Sequence, residues 1–117
     1  MKKILIVEDD VDTIDMVELI LREAGYAVIK INREVPFKEI TGINPNLIIL
    51  DYLLPFGLGT DLCLQLKTNE LTKHYPIILY SASNILEKLA KESHADAYIA
   101  KPFDLGDFIT LVNKWAL

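Results

Sequence analysis

Five times along the chain, a short apolar run gives way to a stretch whose apolar residues recur every three or four positions. No other feature restricts the fold as much. Strict strand–helix alternation predicts a parallel sheet, because a strand rejoins its neighbour in parallel only through a crossover, and the crossover helices cover both faces. The most apolar run, Leu47–Leu50 in NLIILDYLLP, lies between Pro45 and Pro55 and reads as a strand buried on both faces. It ends on Asp51, a charge that is costly beside an apolar core unless something pairs with it. Ligands of open parallel sheets bind beyond the carboxyl ends of the strands, so Asp51 stands where chemistry is usually done.

The other elements follow from the same patterns. Lys3–Val7 is a strand that runs into Glu8, Asp9 and Asp10. The helix after it has Asp10 or Asp12 as its N-cap and Val11, Ile14, Val17, Leu21 and Ala24 on one face, with Gly25 in the left-handed cap position. Tyr26–Ile31 is the second strand; Pro36 opens a short helix through Ile40, ended by Gly42. After the central strand, PFGLGT reads as a loop, and Thr60 or Asp61 caps a helix that turns Leu62, Leu66 and Cys63 inward. Pro76–Tyr80 is the fourth strand, ending on Ser81, and Asn84 caps a helix carrying Ile85, Leu86, Leu89 and Ala90. Ala97–Ala100 is the fifth strand, ending on Lys101-Pro102. Asp104 caps the last helix, whose stripe is Leu105, Phe108, Ile109, Val112 and Trp115.

Composition removes several classes of function. One cysteine, Cys63, allows no internal disulfide and no thiolate metal site, and two histidines are too few for a histidine site. A net charge of −5 argues against direct nucleic-acid binding. No stretch is long enough to span a bilayer, and the apolar run of MKKILIV stops at Glu8, too early for a signal peptide. The expected location is therefore the cytoplasm, with no membrane partner.

In a parallel sheet, Glu8 and Asp9, Asp51, Ser81 and Lys101 all arrive at one edge. Three carboxylates this close repel one another, and a hard divalent cation relieves that repulsion. Oxygen ligands of this kind suit Mg²⁺. A carboxylate beside Mg²⁺ is a plausible nucleophile towards phosphorus. The metal would clamp the phosphoryl oxygens, with Ser81 donating a hydrogen bond and Lys101 supplying positive charge.

The series LIVEDD, LIILDYLLP, IILYSAS and YIAKPF resembles the receiver domain of two-component response regulators over essentially the whole chain. The resemblance implies a doubly wound α/β fold, a CheY-like and flavodoxin-like (βα)5 sheet of order 2-1-3-4-5. It implies that residues 1–117 form a single receiver domain with no output domain. It makes Asp51 the phosphoacceptor, with Mg²⁺ held by Asp9, Asp51 and the Leu53 backbone carbonyl, and by Glu8 through water. Ser81, Ala82 and Lys101 would bind the phosphoryl group, Tyr98 would be the switch aromatic, and Pro102 would follow a cis peptide bond. The donor would be a sensor histidine kinase or phosphotransfer protein. A downstream effector would read the face formed by the fourth helix, fifth strand and last helix. Such a protein catalyses only its own phosphorylation and dephosphorylation.

Two positions depart from the family pattern. Leu58 stands where a Gly-x-Asp-Gly turn has its Asp, and His94 stands where Gly usually precedes the Ala-Asp pair. Leu53, two residues past Asp51, is apolar and cannot orient a hydrolytic water, which predicts slow loss of the phosphoryl group. The same Leu53 argues against an aspartate-based phosphatase, which needs a second carboxylate there. Glu8-Asp9-Asp10 would repel the phosphate of a flavin. The remaining alternative is an interaction domain that keeps the fold without being phosphorylated.

Overall fold

A computed structural model describes residues 1–117. The elements, in order, are β1 (Lys3–Val7), α1 (Val11–Glu23), β2 (Ala27–Ile31), α2 (Phe37–Ile43), β3 (Leu47–Asp51), β4 (Leu53–Leu54), β5 (Gly57–Leu58), α3 (Gly59–Thr68), β6 (Ile77–Ser81), α4 (Leu86–Ser93), β7 (Ala97–Ala100) and α5 (Leu105–Trp115). The five long strands form one parallel sheet ordered β2-β1-β3-β6-β7. This is the doubly wound architecture expected, with the first and third strands adjacent.

The continuous apolar strands have a simple cause. Successive side chains point to opposite faces, and both faces are covered. Leu5, Val7, Ile48, Leu50, Ile77 and Leu79 pack against Ile40 of α2, Cys63 and Leu66 of α3, and Leu86 and Leu89 of α4. Ile4, Ile6, Leu47, Ile49, Ile78 and Tyr80 pack against Val17 and Leu21 of α1 and Phe108 and Val112 of α5. Each fully buried Leu or Ile contributes roughly 1.5–3 kcal/mol, so the sheet's position between two cores is strongly determined. Burial pushes the Cys63 thiol up to about 11, consistent with a packing role.

The structure corrects several local expectations. Gly42 lies inside α2, which continues to Ile43 and ends at Asn44, with φ 52°. Ile43 still packs on the core, and Asn tolerates the left-handed conformation that stops the helix. PFGLGT is not a plain loop, because Leu53–Leu54 pairs antiparallel with Gly57–Leu58. That ribbon delivers the chain directly into α3 at Gly59, so neither Thr60 nor Asp61 caps the helix. Asn84 does not cap α4; Ile85 occupies the N-cap position, and its N–H donates to Ser83 Oγ at 3.3 Å. Asp10 is the N-cap residue of α1 but makes no side-chain cap bond, whereas Asp104 Oδ1 accepts from the Asp107 N–H at 3.0 Å.

Val11, Ile85 and Leu105, all expected to face inward, are exposed. Each lies at the start of a helix on the carboxyl rim of the sheet, where the strands have ended and no apolar layer remains beneath. Ala24, just past the last turn of α1, is exposed as well.

Candidate functional site

Strand register decides which groups meet. Val7 pairs with Leu50, and Asp51 pairs with Tyr80, so Glu8 and Asp51 emerge side by side from β1 and β3. Ser81 pairs with Ala100, which brings Lys101 to the same rim, and the Lys101 N–H donates to the Ser81 carbonyl at 2.9 Å. Carboxylate oxygens of Glu8, Asp9 and Asp51 lie within 4.8 Å of one another. This acidic cluster could hold a metal ion.

Glu8 is fully buried. Its Oε1 accepts from the backbone N–H groups of Asp9 at 3.1 Å and Asp10 at 3.0 Å. Its Oε2 accepts from the Tyr80 hydroxyl at 2.5 Å and the Lys101 ammonium at 3.0 Å. Lys101 Nζ also stands 3.5 Å from Asp51 Oδ2 and 4.4 Å from the centroid of the Tyr80 ring. Burial pushes the Glu8 carboxyl up, but hydrogen bonds, the strongest from Tyr80, outweigh it and hold the group below its ordinary value. Asp51 goes the other way. Burial, and then the adjacent Glu8 carboxylate, push it up to about 6, with Lys101 and the Tyr52 amide offsetting part of the rise. Burial and Glu8 also raise the Tyr80 phenol, so it is a donor throughout the physiological range.

The other expected residues are placed as follows. Asp9 is exposed at the mouth of the site. Ser81 is buried and its Oγ accepts from the Ser83 N–H at 3.1 Å, which leaves its own proton free to donate. Ala82 is exposed and, with Lys101, Met16 and Leu105, lines a shallow apolar cleft between α1 and the start of α5. Leu53 lies in β4 with its side chain facing solvent. Tyr98, on β7, is 43% exposed. The Lys101-Pro102 peptide bond is cis.

Tyr80 is the residue that the reading of the sequence did not place in the site. Its position as the last apolar residue before Ser81 suggests only strand packing. The available signal is chemical: a tyrosine in a strand buried on both faces must find a partner for its hydroxyl.

Clustered acids, a hydroxyl and a lysine thus stand together at the carboxyl edge of a doubly wound parallel α/β sheet. The family of the response regulator receiver domain matches residues 4–113, and the chain belongs to that family. The chain is 38% identical over 107 residues to the phosphate regulon transcriptional regulatory protein PhoB of Pseudomonas aeruginosa, covering 87% of this chain and 46% of that protein. It thus spans about half the length of the curated relatives it matches. A crystal structure from Chloroflexus aurantiacus superposes with a TM-score of 0.90 at 33% identity, covering 98% of this chain and 97% of that one. Response regulator TrrA of Thermotoga maritima, crystallised in complex with Mg²⁺-BeF, superposes with a TM-score of 0.87 at 27% identity over 100% of both chains. No helix of this chain is long and apolar enough to cross a membrane.

Proposed function

We propose that the chain is a phosphoacceptor receiver, taking a phosphoryl group from a phosphohistidine onto Asp51. The observation that carries this reading is the cluster of Glu8, Asp9 and Asp51 oxygens within 4.8 Å, with Lys101 Nζ 3.5 Å from Asp51 Oδ2. One Asp51 oxygen forms the new O–P bond as the P–N bond of the donor breaks. The imidazole leaves with the electron pair and takes a proton from solvent.

The donor set is all oxygen, and burial together with the adjacent Glu8 carboxylate raises the Asp51 carboxyl to about 6, a strain on its charged form that Mg²⁺ would relieve. Asp9, Asp51 and the Leu53 carbonyl would hold the ion, with Glu8 acting through water. When bound, the ion neutralises charge on the phosphoryl oxygens. TrrA, with its Mg²⁺-BeF, supports that assignment by likeness. Ser81 donates its free proton to a phosphoryl oxygen, Ala82 lies beside it, and Lys101 supplies the positive charge.

The added charge of about −1.5 to −2 draws Ser81 inward. The exposed Tyr98 ring then turns towards the space Ser81 leaves, and the face of α4, β7 and α5 changes shape for an effector protein. The donor is a sensor histidine kinase or phosphotransfer protein. Residues 1–117 act as the receiver unit, and the only reactions catalysed are gain and loss of this phosphoryl group.

Incubation with acetyl phosphate and Mg²⁺, followed by intact-mass measurement, tests the reading. One phosphoryl mass, labile to base and to hydroxylamine, is expected on wild type and none on Asp51→Ala. A phosphoryl mass retained by Asp51→Ala would overturn the assignment. No modification of wild type, even by beryllofluoride, would favour the non-phosphorylated interaction domain.

A further inference from the structure

We propose that the Tyr80 hydroxyl is a positioning group for phosphoryl acceptance, holding the buried Glu8 carboxylate while Lys101 moves its ammonium from Glu8 to the group on Asp51. The inference rests on the phosphoacceptor reading above. A carboxylate offers about four lone-pair sites. In Glu8 all four are filled, two by the Asp9 and Asp10 amides and two by Tyr80 and Lys101. Lys101 lies 3.0 Å from Glu8 Oε2 and 3.5 Å from Asp51 Oδ2, so the move to a phosphoryl oxygen is a short swing.

That swing takes the one cationic side chain in direct contact away from a fully buried carboxylate, which is costly unless another donor stays behind on the same oxygen. Tyr80 is that donor. Its bond to Oε2 is worth more once Lys101 has left, because two donors no longer share one oxygen. The hydroxyl therefore favours the arrangement in which Lys101 is free over the one in which it is held. It also keeps Glu8 oriented, with one Oε2 lone pair opened towards the cleft. Tyr80 touches neither the phosphoryl group nor its oxygens and acts through Glu8.

Tyr80→Phe removes the hydroxyl while keeping the ring under the ammonium. The expected result is a folded protein whose affinity for beryllofluoride, with Mg²⁺ saturating, falls roughly tenfold, the size expected for one hydrogen bond to a charged group. The Lys101 Nζ resonance should also move less on ligand addition. Incorporating 3-fluorotyrosine at position 80 keeps the packing and strengthens the donor, and it should tighten binding several-fold. In a Glu8→Gln background, the effect of Tyr80→Phe should shrink below about twofold, as expected of groups that act through each other. Equal beryllofluoride affinity in wild type and Tyr80→Phe would overturn the inference, as would an undiminished Tyr80 effect in the Glu8→Gln protein. Failure of wild type itself to bind beryllofluoride would overturn the phosphoacceptor reading, and this inference with it.

Discussion

A Cβ atom at position 59 would stand 1.8 Å from the carbonyl oxygen of Asp51. Gly59 thus lets the start of α3 press against the backbone of the proposed phosphoacceptor, and its N–H donates to the Tyr52 carbonyl at 2.7 Å. Gly59→Ala must push the two segments apart. The expected loss of stability is about 2–4 kcal/mol, measured by urea denaturation. The displaced Asp51 backbone should also slow phosphorylation by acetyl phosphate. A Gly59→Ala protein as stable as wild type would mean that the close approach is not maintained in solution.

The raised Asp51 carboxyl has a consequence for stability. The folded protein holds a proton on Asp51 more tightly than the unfolded chain does, since the group moves from 3.8 to about 6. The contribution of Asp51 to stability is then fully present below about pH 4 and is lost as pH rises through about 6. Without divalent metal at pH 7.5, Asp51→Asn should be more stable than wild type by on the order of 1 kcal/mol, after allowance for solvent screening. The gain should fade as the pH is lowered through this range. Thermal melts in EDTA across the range check both sign and window. A destabilised Asp51→Asn at neutral pH would show that burial and the adjacent Glu8 charge do not penalise the Asp51 carboxylate.

Leu53 is 62% exposed, two residues past Asp51. An apolar side chain there gives no polar atom to orient water towards an aspartyl phosphate. Leu53→Asn should speed loss of the phosphoryl group several-fold while changing stability by no more than about 0.5 kcal/mol. Decay of the phosphoryl mass after removal of the donor is the measurement. Unchanged decay would show that this position does not limit access of water.

His94 ends α4 in a left-handed conformation with φ 62°, and its N–H donates to the Lys91 carbonyl at 3.3 Å. Only glycine adopts this conformation without a steric penalty of roughly 1–2 kcal/mol. His94→Gly should therefore stabilise the protein by about 0.5–1 kcal/mol, the remainder being offset by the greater freedom of glycine in the unfolded chain. Phosphorylation kinetics should be unchanged, because His94 is exposed and lies outside the acidic cluster. Equal or lower stability of His94→Gly, by chemical denaturation, would sink the argument.

The chain's pattern by itself determined the doubly wound sheet, its two buried faces and the arrival of Glu8, Asp9, Asp51, Ser81 and Lys101 at one edge. These are consequences of local periodicity and of groups placed at strand ends, and both are written along the chain. The rim was less legible. Val11, Ile85 and Leu105 continue the apolar spacing of their helices, yet they lie beyond the last core layer, and spacing alone does not say where the layers stop. The β4–β5 ribbon has two residues in each strand, too few for any period to appear.

The bond between Tyr80 and Glu8 was decided only in the tertiary structure. It joins residues 72 positions apart, and it needs β1, β3 and β6 to lie side by side in one register. A one-residue slip of β6 would carry the phenol to the other face of the sheet. Which partner a buried carboxylate finds depends on that three-dimensional placement.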